Sequence, residues 1–239
     1  MDMPQSNAAP GEAAPLLLRM LTAAAALGLG VGLYFALAYA GADSVQGNVQ
    51  RLFYTHLPSF TGAAVAFTLT FVGGLLYLFL RQERWEMLAV AAAEVGLALA
   101  LINVALGSIW ARPIWNTWWT GDPRMTSSAV MVLICVAYLL LRQGVANPNW
   151  RRWLSALMAV LLMAVMLFSI LVVRTRTDTI HPVVIGAGAQ STGGGFRMAA
   201  SMTTALIVNL IVWAGLLTPA LVWWRVRLER AGRRPERAY

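Results

Sequence analysis

The chain contains only two histidines, and their side chains are its most capable metal ligands. His56 lies in the segment RLFYTHLPS and His181 in the segment TRTDTIHPVVIG. Imidazole is the most common protein ligand of transition metals and a standard axial ligand of haem iron. Two imidazoles can bind one iron from opposite sides of a flat ring, whereas a zinc site needs further His or Cys ligands. We predict that the two histidines act together as metal ligands. The alternative is two unrelated polar residues at a membrane boundary.

A second candidate feature is the tryptophan-rich segment GSIWARPIWNTWWTGDPRMTSS. Its indoles belong to Trp110, Trp115, Trp118 and Trp119. Pro113 and Pro123 interrupt helical continuity. We expect a broken amphipathic segment that lies along the membrane interface, with its indoles forming a shelf for a large, flat, apolar ring. The alternative is an aromatic belt at the level of the lipid headgroups.

Charged side chains border this tryptophan-rich segment. Asp122 and Arg124 are expected to form a tight turn into the next helix, with Thr126 or Ser127 as its N-cap. Arginines near the two histidines and the indoles are Arg51, Arg112, Arg124, Arg174, Arg176 and Arg197. Arginine pairs with carboxylates in a two-pronged geometry, so we expect Arg51, Arg112 and Arg124 to bind the propionates of a porphyrin. Contact with lipid headgroups is the alternative.

The elements that must position these residues follow from the composition. Of the 239 residues, 59% are hydrophobic and 12% are charged, and the mean hydropathy is +0.66. So apolar a chain needs lipid as part of its solvent. The net charge is +8 and every cation is arginine. These arginines lie between apolar runs, a pattern that indicates membrane topology and no nucleic-acid partner.

Apolar stretches long enough to cross the bilayer predict an all-α fold, a polytopic bundle of about six transmembrane helices. They cover residues 16–40, 58–80, 87–108, 126–141, 153–173 and 199–224. We expect three regions along the chain: a disordered cytoplasmic tail over 1–15, the six-helix domain over 16–224 and a basic cytoplasmic tail over 225–239. Ala38 and Ala40 have the spacing of a signal-cleavage site, but we expect this first helix to be retained.

The arginine distribution predicts the orientation. More arginines lie in the termini and the connectors on their side than in the other connectors, so both termini are predicted to be cytoplasmic. His56, His181 and the tryptophan-rich segment then lie on the periplasmic face. Inside the helices, Glu94 is expected to be a neutral, hydrogen-bonded packing residue, and Asn103 and Asn209 are expected to hydrogen-bond between helices.

Two further features limit the chemistry. Cys135 is the only cysteine and lies in an apolar run, so we interpret it as a small core residue. The run Gly193-Gly194-Gly195 is not followed by Gly-Lys-Ser/Thr and is therefore not a phosphate-binding loop. The sequence thus predicts a membrane protein that is not an enzyme and has no nucleotide site of its own.

The segment WARPIWNTWWTGDPRMTSS resembles the "WWD" signature of haem-handling proteins in cytochrome c biogenesis. Chain length, helix number and the order of the histidines around this signature are similar to the haem exporter protein C (CcmC) family of the cytochrome c maturation system. Three positions differ from the usual pattern of that signature. Gly121 stands where a tryptophan is usual, Ala111 where a glycine is usual, and Ser128 where an acidic residue is common. Tryptophans usually precede the second histidine as well, but here the residues are Arg176-Thr177-Asp178-Thr179.

The resemblance implies a specific function. His56 and His181 would be axial ligands of a non-covalently bound haem b, whose edge contacts Asp122 and the indoles of the signature. The haem would pass to a membrane-tethered periplasmic haem chaperone, and a small single-helix subunit and ABC transporter subunits would accompany the complex in the bacterial inner membrane. The alternatives are a b-type electron-transfer subunit and a haem-free small-solute transporter.

Overall fold

Six helical segments form the fold in this computed structural model, which describes residues 13–175, 179–181 and 198–232. Each segment is long and apolar enough to cross a membrane, and across the described ranges there is no β-strand. The six spans are Leu16–Tyr39, Asn48–Leu80, Glu83–Trp115, Pro123–Gly144, Pro148–Leu171 and Ala200–Gly232. The predicted all-helical membrane bundle is therefore confirmed.

The helices within these spans are regular over most of their length. The α-helices are α1 Leu16–Tyr34, α2 Phe53–Leu80, α3 Glu83–Trp115, α4 Pro123–Gly144, α5 Pro148–Thr175, α6 Ala200–Leu210 and α7 Thr218–Gly232. A wider π-helical turn, Phe35–Tyr39, extends α1, and a tighter 3-10 turn, Asn48–Leu52, precedes α2. A second π-helical segment, Ile211–Leu217, joins α6 to α7.

Helices α2 and α3 form the centre of the bundle because small residues let their backbones approach closely. A Cβ atom added to Gly96 would lie 2.5 Å from the ring of Phe67, and one added to Gly73 would lie 2.8 Å from the carbonyl oxygen of Trp85. Lipid offers no hydrophobic driving force between helices, so close van der Waals packing of this kind holds the bundle together. Cys135 is fully buried in this core, as predicted.

The first turns of α2 and α4 differ from the sequence prediction. Helix α2 begins at Phe53 and continues through Pro58, so His56 lies inside the helix rather than before it. Proline is tolerated within transmembrane helices because neighbouring helices and Ser/Thr side chains can satisfy the backbone groups it frees. Helix α4 begins at Pro123, and the carboxylate of Asp122 accepts a hydrogen bond from the Arg124 backbone N–H at 2.8 Å. Asp122 is therefore the N-cap, and the prediction of Thr126 or Ser127 was wrong.

The tryptophan-rich segment is less broken than the sequence suggests. Helix α3 continues through Pro113 to Trp115, and Asn116 then ends it in the left-handed conformation, with φ 54°. Asparagine tolerates this conformation better than most residues, which makes it a suitable helix stop. Trp110 and Trp115 therefore lie on the last turns of α3, and only the residues between Asn116 and Asp122 form a non-helical connector.

The end of the bundle remote from the histidines carries a cluster of ion pairs. Glu86 is buried and lies 2.7 Å from Arg142, which lines a polar cavity of about 570 Å³. Glu94 forms an ion pair with Arg225, whereas the sequence analysis expected a neutral packing residue at this position. The predicted interhelical role of Asn209 is confirmed, because its amide donates to the carbonyl of Gly32 at 3.0 Å.

Candidate functional site

His56 and His181, far apart in the sequence, line one cavity at the end of the bundle where α2 and α4 begin and α3 ends. Helix α2 carries His56, and His181 lies in the described stretch 179–181 between α5 and α6. The cavity is lined by His56, Leu57, Phe60, Asn103, Val104, Gly107, Trp119, Arg124, Met125, Ser128 and His181. The fold therefore brings together the two residues that the sequence singles out as metal ligands.

The ring of His56 packs against α3. Its Nδ1 atom lies 3.0 Å from the carbonyl oxygen of Asn103, and the Asn103 amide donates to the carbonyl of His56 at 2.8 Å. Trp110 lies edge-on to the ring, with 5.8 Å between the centroids. The predicted interhelical role of Asn103 is thus confirmed, and its partner is one of the two candidate ligands.

The ring of His181 is held by a carboxylate. Its Nδ1 atom lies 2.9 Å from Oδ1 of Asp122, whose other oxygen accepts the backbone N–H of Ile180 at 2.8 Å. Only 2% of the Asp122 side chain is exposed. One carboxylate therefore caps α4 and fixes the 179–181 stretch. Because Nδ1 of His181 faces an acceptor, that nitrogen carries the hydrogen and Nε2 keeps its lone pair.

Burial and hydrogen bonding set the charges of this pair. Burial alone would raise the pKa of Asp122, but the Ile180 N–H, His181 and further donors outweigh it and hold that pKa below its ordinary value. For His181, burial lowers the pKa and the Asp122 carboxylate raises it. Burial has the larger effect, so the pKa of His181 lies below 6.5. Around neutral pH the pair is therefore a carboxylate beside a neutral imidazole, which is the form of histidine that binds a metal.

The three arginines predicted to bind propionates lie in different surroundings. Arg124 lines the cavity, and its guanidinium lies over the ring of Phe60, 4.2 Å from the centroid. Arg112 is exposed and donates to the carbonyl of Asn116 at 2.6 Å. Arg51 lies on the 3-10 turn before α2, and its buried Nε atom has no hydrogen-bond partner among the described residues. Of the three, only Arg124 borders the cavity.

Of the four indoles, only that of Trp119 lines the cavity, so the indoles do not form one flat shelf. Trp115 lies 5.7 Å from the His181 ring, centroid to centroid. Trp118 points outward and is 59% exposed. Gly121, just after this group, has φ 73°, a conformation that strains residues with a Cβ atom. The local backbone therefore favours glycine over the tryptophan that is usual in the signature.

Three residues that line the cavity could not be assigned to it from the sequence. Asn103 is predicted only to hydrogen-bond between helices, and Gly107 has no side chain that indicates a site. Ser128 lines the cavity at the position where an acidic residue is common in the signature. Each is revealed only by the packing of α2 and α4 against α3. Asn103 and Gly107 are one helical turn apart, and this spacing is the only sequence feature that relates any two of these three residues.

The donor set suits a haem, although the space between the rings is small. Two imidazoles with Nε2 available, neighbouring indoles and one guanidinium are groups that bind iron, a porphyrin face and a propionate. The cavity between them measures about 40 Å³, room for about one water molecule. Its walls must therefore separate before a porphyrin can lie between the two rings.

The fold and this site define a class: a polytopic membrane protein with a paired-histidine, tryptophan-lined site at one end of its helical bundle. The sequence matches the family described as Heme exporter protein C over residues 6–238. The chain belongs to this family and is a multi-pass protein of the bacterial inner membrane.

Individual relatives support this assignment. A Heme exporter protein C of Paracoccus denitrificans is 30% identical over 192 residues, which cover 80% of this chain and 78% of that protein. One from Rhodobacter capsulatus is 32% identical over 133 residues, 56% of this chain and 55% of that protein. One from Escherichia coli K12 is 30% identical over 121 residues, 51% and 49% respectively. The matched region thus spans about half of the last two proteins and more than three quarters of the first.

Proposed function

We propose that this protein binds haem b non-covalently between His56 and His181 and delivers it for c-type cytochrome biogenesis. The observation that carries the proposal is the pairing of the two rings across one cavity, each with its Nδ1 atom beside a hydrogen-bond acceptor. Metal-binding histidines usually have such an acceptor on the nitrogen that does not bind the metal. The relatives that match this chain are named for haem export, which is consistent with this cargo.

The other groups at the cavity have complementary roles in the proposal. Trp115 and Trp119 contact the porphyrin face, and Arg124 pairs with a propionate in a region of low polarity where a charge-assisted bond is strong. The roles of Arg51 and Arg112 as propionate partners stay predictions, as does that of Trp110. Cys135 is buried in the core, so attachment of haem through a cysteine is not part of the proposal.

We place the cavity on the periplasmic face and both termini in the cytoplasm. The helix ends and connectors at the opposite end of the bundle carry Arg81, Arg84, Arg142, Arg151 and Arg152. Short loops rich in arginine remain on the cytoplasmic side. Exposed indoles at the histidine end would then face a periplasmic haem chaperone, which receives the haem. A single-helix subunit and ABC transporter subunits are the further partners implied by the family.

Haem transfer tests this proposal. The purified, haem-loaded protein is mixed with a haem-free periplasmic haem chaperone, and the absorption spectra of the separated proteins are followed. We expect haem to move to the chaperone, and Trp118→Ala to slow the movement while leaving haem bound to this protein. Trp150→Ala is the matched control, because Trp150 is 60% exposed at the opposite end of the bundle. Equal rates of transfer in both variants, or no transfer at all, would contradict delivery from this face.

A further inference from the structure

Asn103 and Gly107 form a notch on α3 that receives the ring of His56. In an α-helix the carbonyl of one residue points along the axis toward the residue four positions later. The carbonyl of Asn103 therefore points toward Gly107, and Nδ1 of His56 reaches it at 3.0 Å. A Cβ atom on residue 107 would lie 2.9 Å from Cε1 and 3.5 Å from Nδ1 of His56. Only glycine at this position lets the ring approach the carbonyl.

Asn103 places both an acceptor and a donor near Nδ1 of His56, namely its backbone carbonyl and its side-chain amide. The amide nitrogen donates to the His56 carbonyl at 2.8 Å and thereby fastens α2 to α3 at this level. The same nitrogen lies 3.2 Å from Nδ1 of His56, farther than the Asn103 carbonyl oxygen. A carbonyl beside Nδ1 requires a hydrogen on Nδ1, whereas an amide donor would require a bare Nδ1. The shorter contact favours the Nδ1–H tautomer.

We propose that the Asn103–Gly107 notch is a positioning device that selects the Nδ1–H tautomer of His56 and directs Nε2 into the cavity. This inference rests on the proposed function only in naming iron as the group that Nε2 would meet. Asn103 is 5% exposed and does not need to contact haem. It acts through His56, as Asp122 acts through His181. The two candidate ligands thus have acceptors of different kinds, a neutral carbonyl for one and a carboxylate for the other.

The notch has a consequence that plain interhelical packing does not have. If Gly107 only allowed two helices to pack, Gly107→Ala would lower stability and leave the hydrogen of the His56 ring where it was. If the notch selects the tautomer, the added methyl group moves the ring away from the backbone carbonyl of Asn103 and lets the hydrogen move to Nε2. Nε2 then has no lone pair for a metal. Loss of such an outer partner of a metal ligand costs about 10–100-fold in affinity.

The experiment uses nitrogen NMR of the full-length, haem-free protein labelled with 15N only at histidine. The chain has two histidines, so each imidazole can be assigned from a single His→Ala variant. We expect His56 in the wild type to be protonated at Nδ1. Gly107→Ala should shift His56 to a mixture of tautomers, with the His181 signals unchanged. Asn103→Leu keeps the backbone carbonyl and removes the amide donor near Nδ1, so it should leave the Nδ1–H tautomer in place. Haem affinity, titrated separately, should be weakened about 10–100-fold in Gly107→Ala.

Two matched variants control for nonspecific effects. Asn209→Leu removes another buried interhelical amide, and Gly30→Ala adds a methyl group at a point with no atom of the described part of the chain within 4 Å. Both should leave the His56 tautomer as in the wild type. A wild-type His56 protonated at Nε2 would overturn the inference, and so would an unchanged tautomer in Gly107→Ala, even if Asn103→Leu failed to fold. Should the tautomer respond while the wild type binds no haem, the notch stands and the proposed function fails.

Discussion

The Nδ1 atom of His181 lies 2.9 Å from a carboxylate oxygen of Asp122, which also caps helix α4. One side chain therefore joins a helix N-terminus to a candidate haem ligand. The arrangement couples the stability of the tryptophan-rich connector to the orientation of the ring. The aspartate at this point of the sequence therefore both caps a helix and holds the ring of a candidate ligand.

Replacing Asp122 should separate these two roles. Asp122→Asn keeps a capping oxygen but removes the charge, so we expect haem affinity to fall about 10–100-fold with little loss of stability. Asp122→Ala removes the cap as well and should lower the free energy of unfolding by about 1 kcal/mol more. Haem titration and thermal unfolding measure the two effects. Asp43→Asn, at a turn where Asp43 accepts the Val45 N–H, is the matched control and should change neither.

The titration of His181 provides a second prediction. Burial lowers its pKa below 6.5 despite the neighbouring carboxylate, so in the haem-free protein we expect an NMR titration midpoint below that value. Asp122→Asn removes the group that favours the charged ring and should lower the midpoint further. The unfolded chain takes up the proton first, so the free energy of unfolding should decrease as the pH falls through about 6.5. A midpoint above 6.5 would contradict this description of the pair.

Arginine variants can rank the predicted propionate partners. Arg124 borders the cavity, and loss of a charge-assisted hydrogen bond there should weaken haem binding about tenfold to 100-fold in Arg124→Gln. Arg51→Gln and Arg112→Gln should have smaller effects, because neither residue lines the cavity. Arg84→Gln at the opposite end, where Arg84 stacks on Trp85, is the control. A larger loss in Arg112→Gln than in Arg124→Gln would place the propionates on the exposed side of the connector.

The Glu86–Arg142 ion pair, at the end of the bundle remote from the histidines, should affect stability but not haem binding. Glu86 and Arg142 have side-chain exposures of 3% and 11%, and their charged atoms are 2.7 Å apart. Glu86→Gln leaves a poorly paired guanidinium in this buried position, so the free energy of unfolding should fall by about 3–5 kcal/mol. The double variant Glu86→Gln with Arg142→Leu should recover part of the loss. The haem spectrum should be unchanged in both, and a changed spectrum would indicate coupling between the two ends.

The sequence predicts the helices well because the signal for a membrane span is long and simple. Hydropathy identifies all six spans, and the resemblance of the tryptophan-rich segment identifies the family. The ends of the helices are harder to predict, because Pro58 and Pro113 are tolerated within α2 and α3 and Asp122 is a better cap than the residues after it. Sequence patterns contain no direct information about such local competition.

The details of the site escape prediction for a different reason. Asn103 and Gly107 matter because α2 crosses α3 at that level, and only packing determines the level. Arg51, Arg112 and Arg124 look equivalent in the sequence, yet only Arg124 faces the cavity. The tryptophans likewise separate into cavity-lining Trp119 and outward-facing Trp118. Side-chain direction depends on where α3 ends, and that end is set by a single left-handed residue, Asn116.

The central claim is that His56 and His181 together bind one haem iron. The most direct measurement compares the absorption and electron paramagnetic resonance spectra of the haem-loaded wild type with those of His56→Ala and His181→Ala. We expect a low-spin spectrum of two axial imidazoles in the wild type, and its loss or replacement by a high-spin spectrum in each variant. An unchanged low-spin spectrum in both variants would show that the iron is bound elsewhere and would contradict the claim.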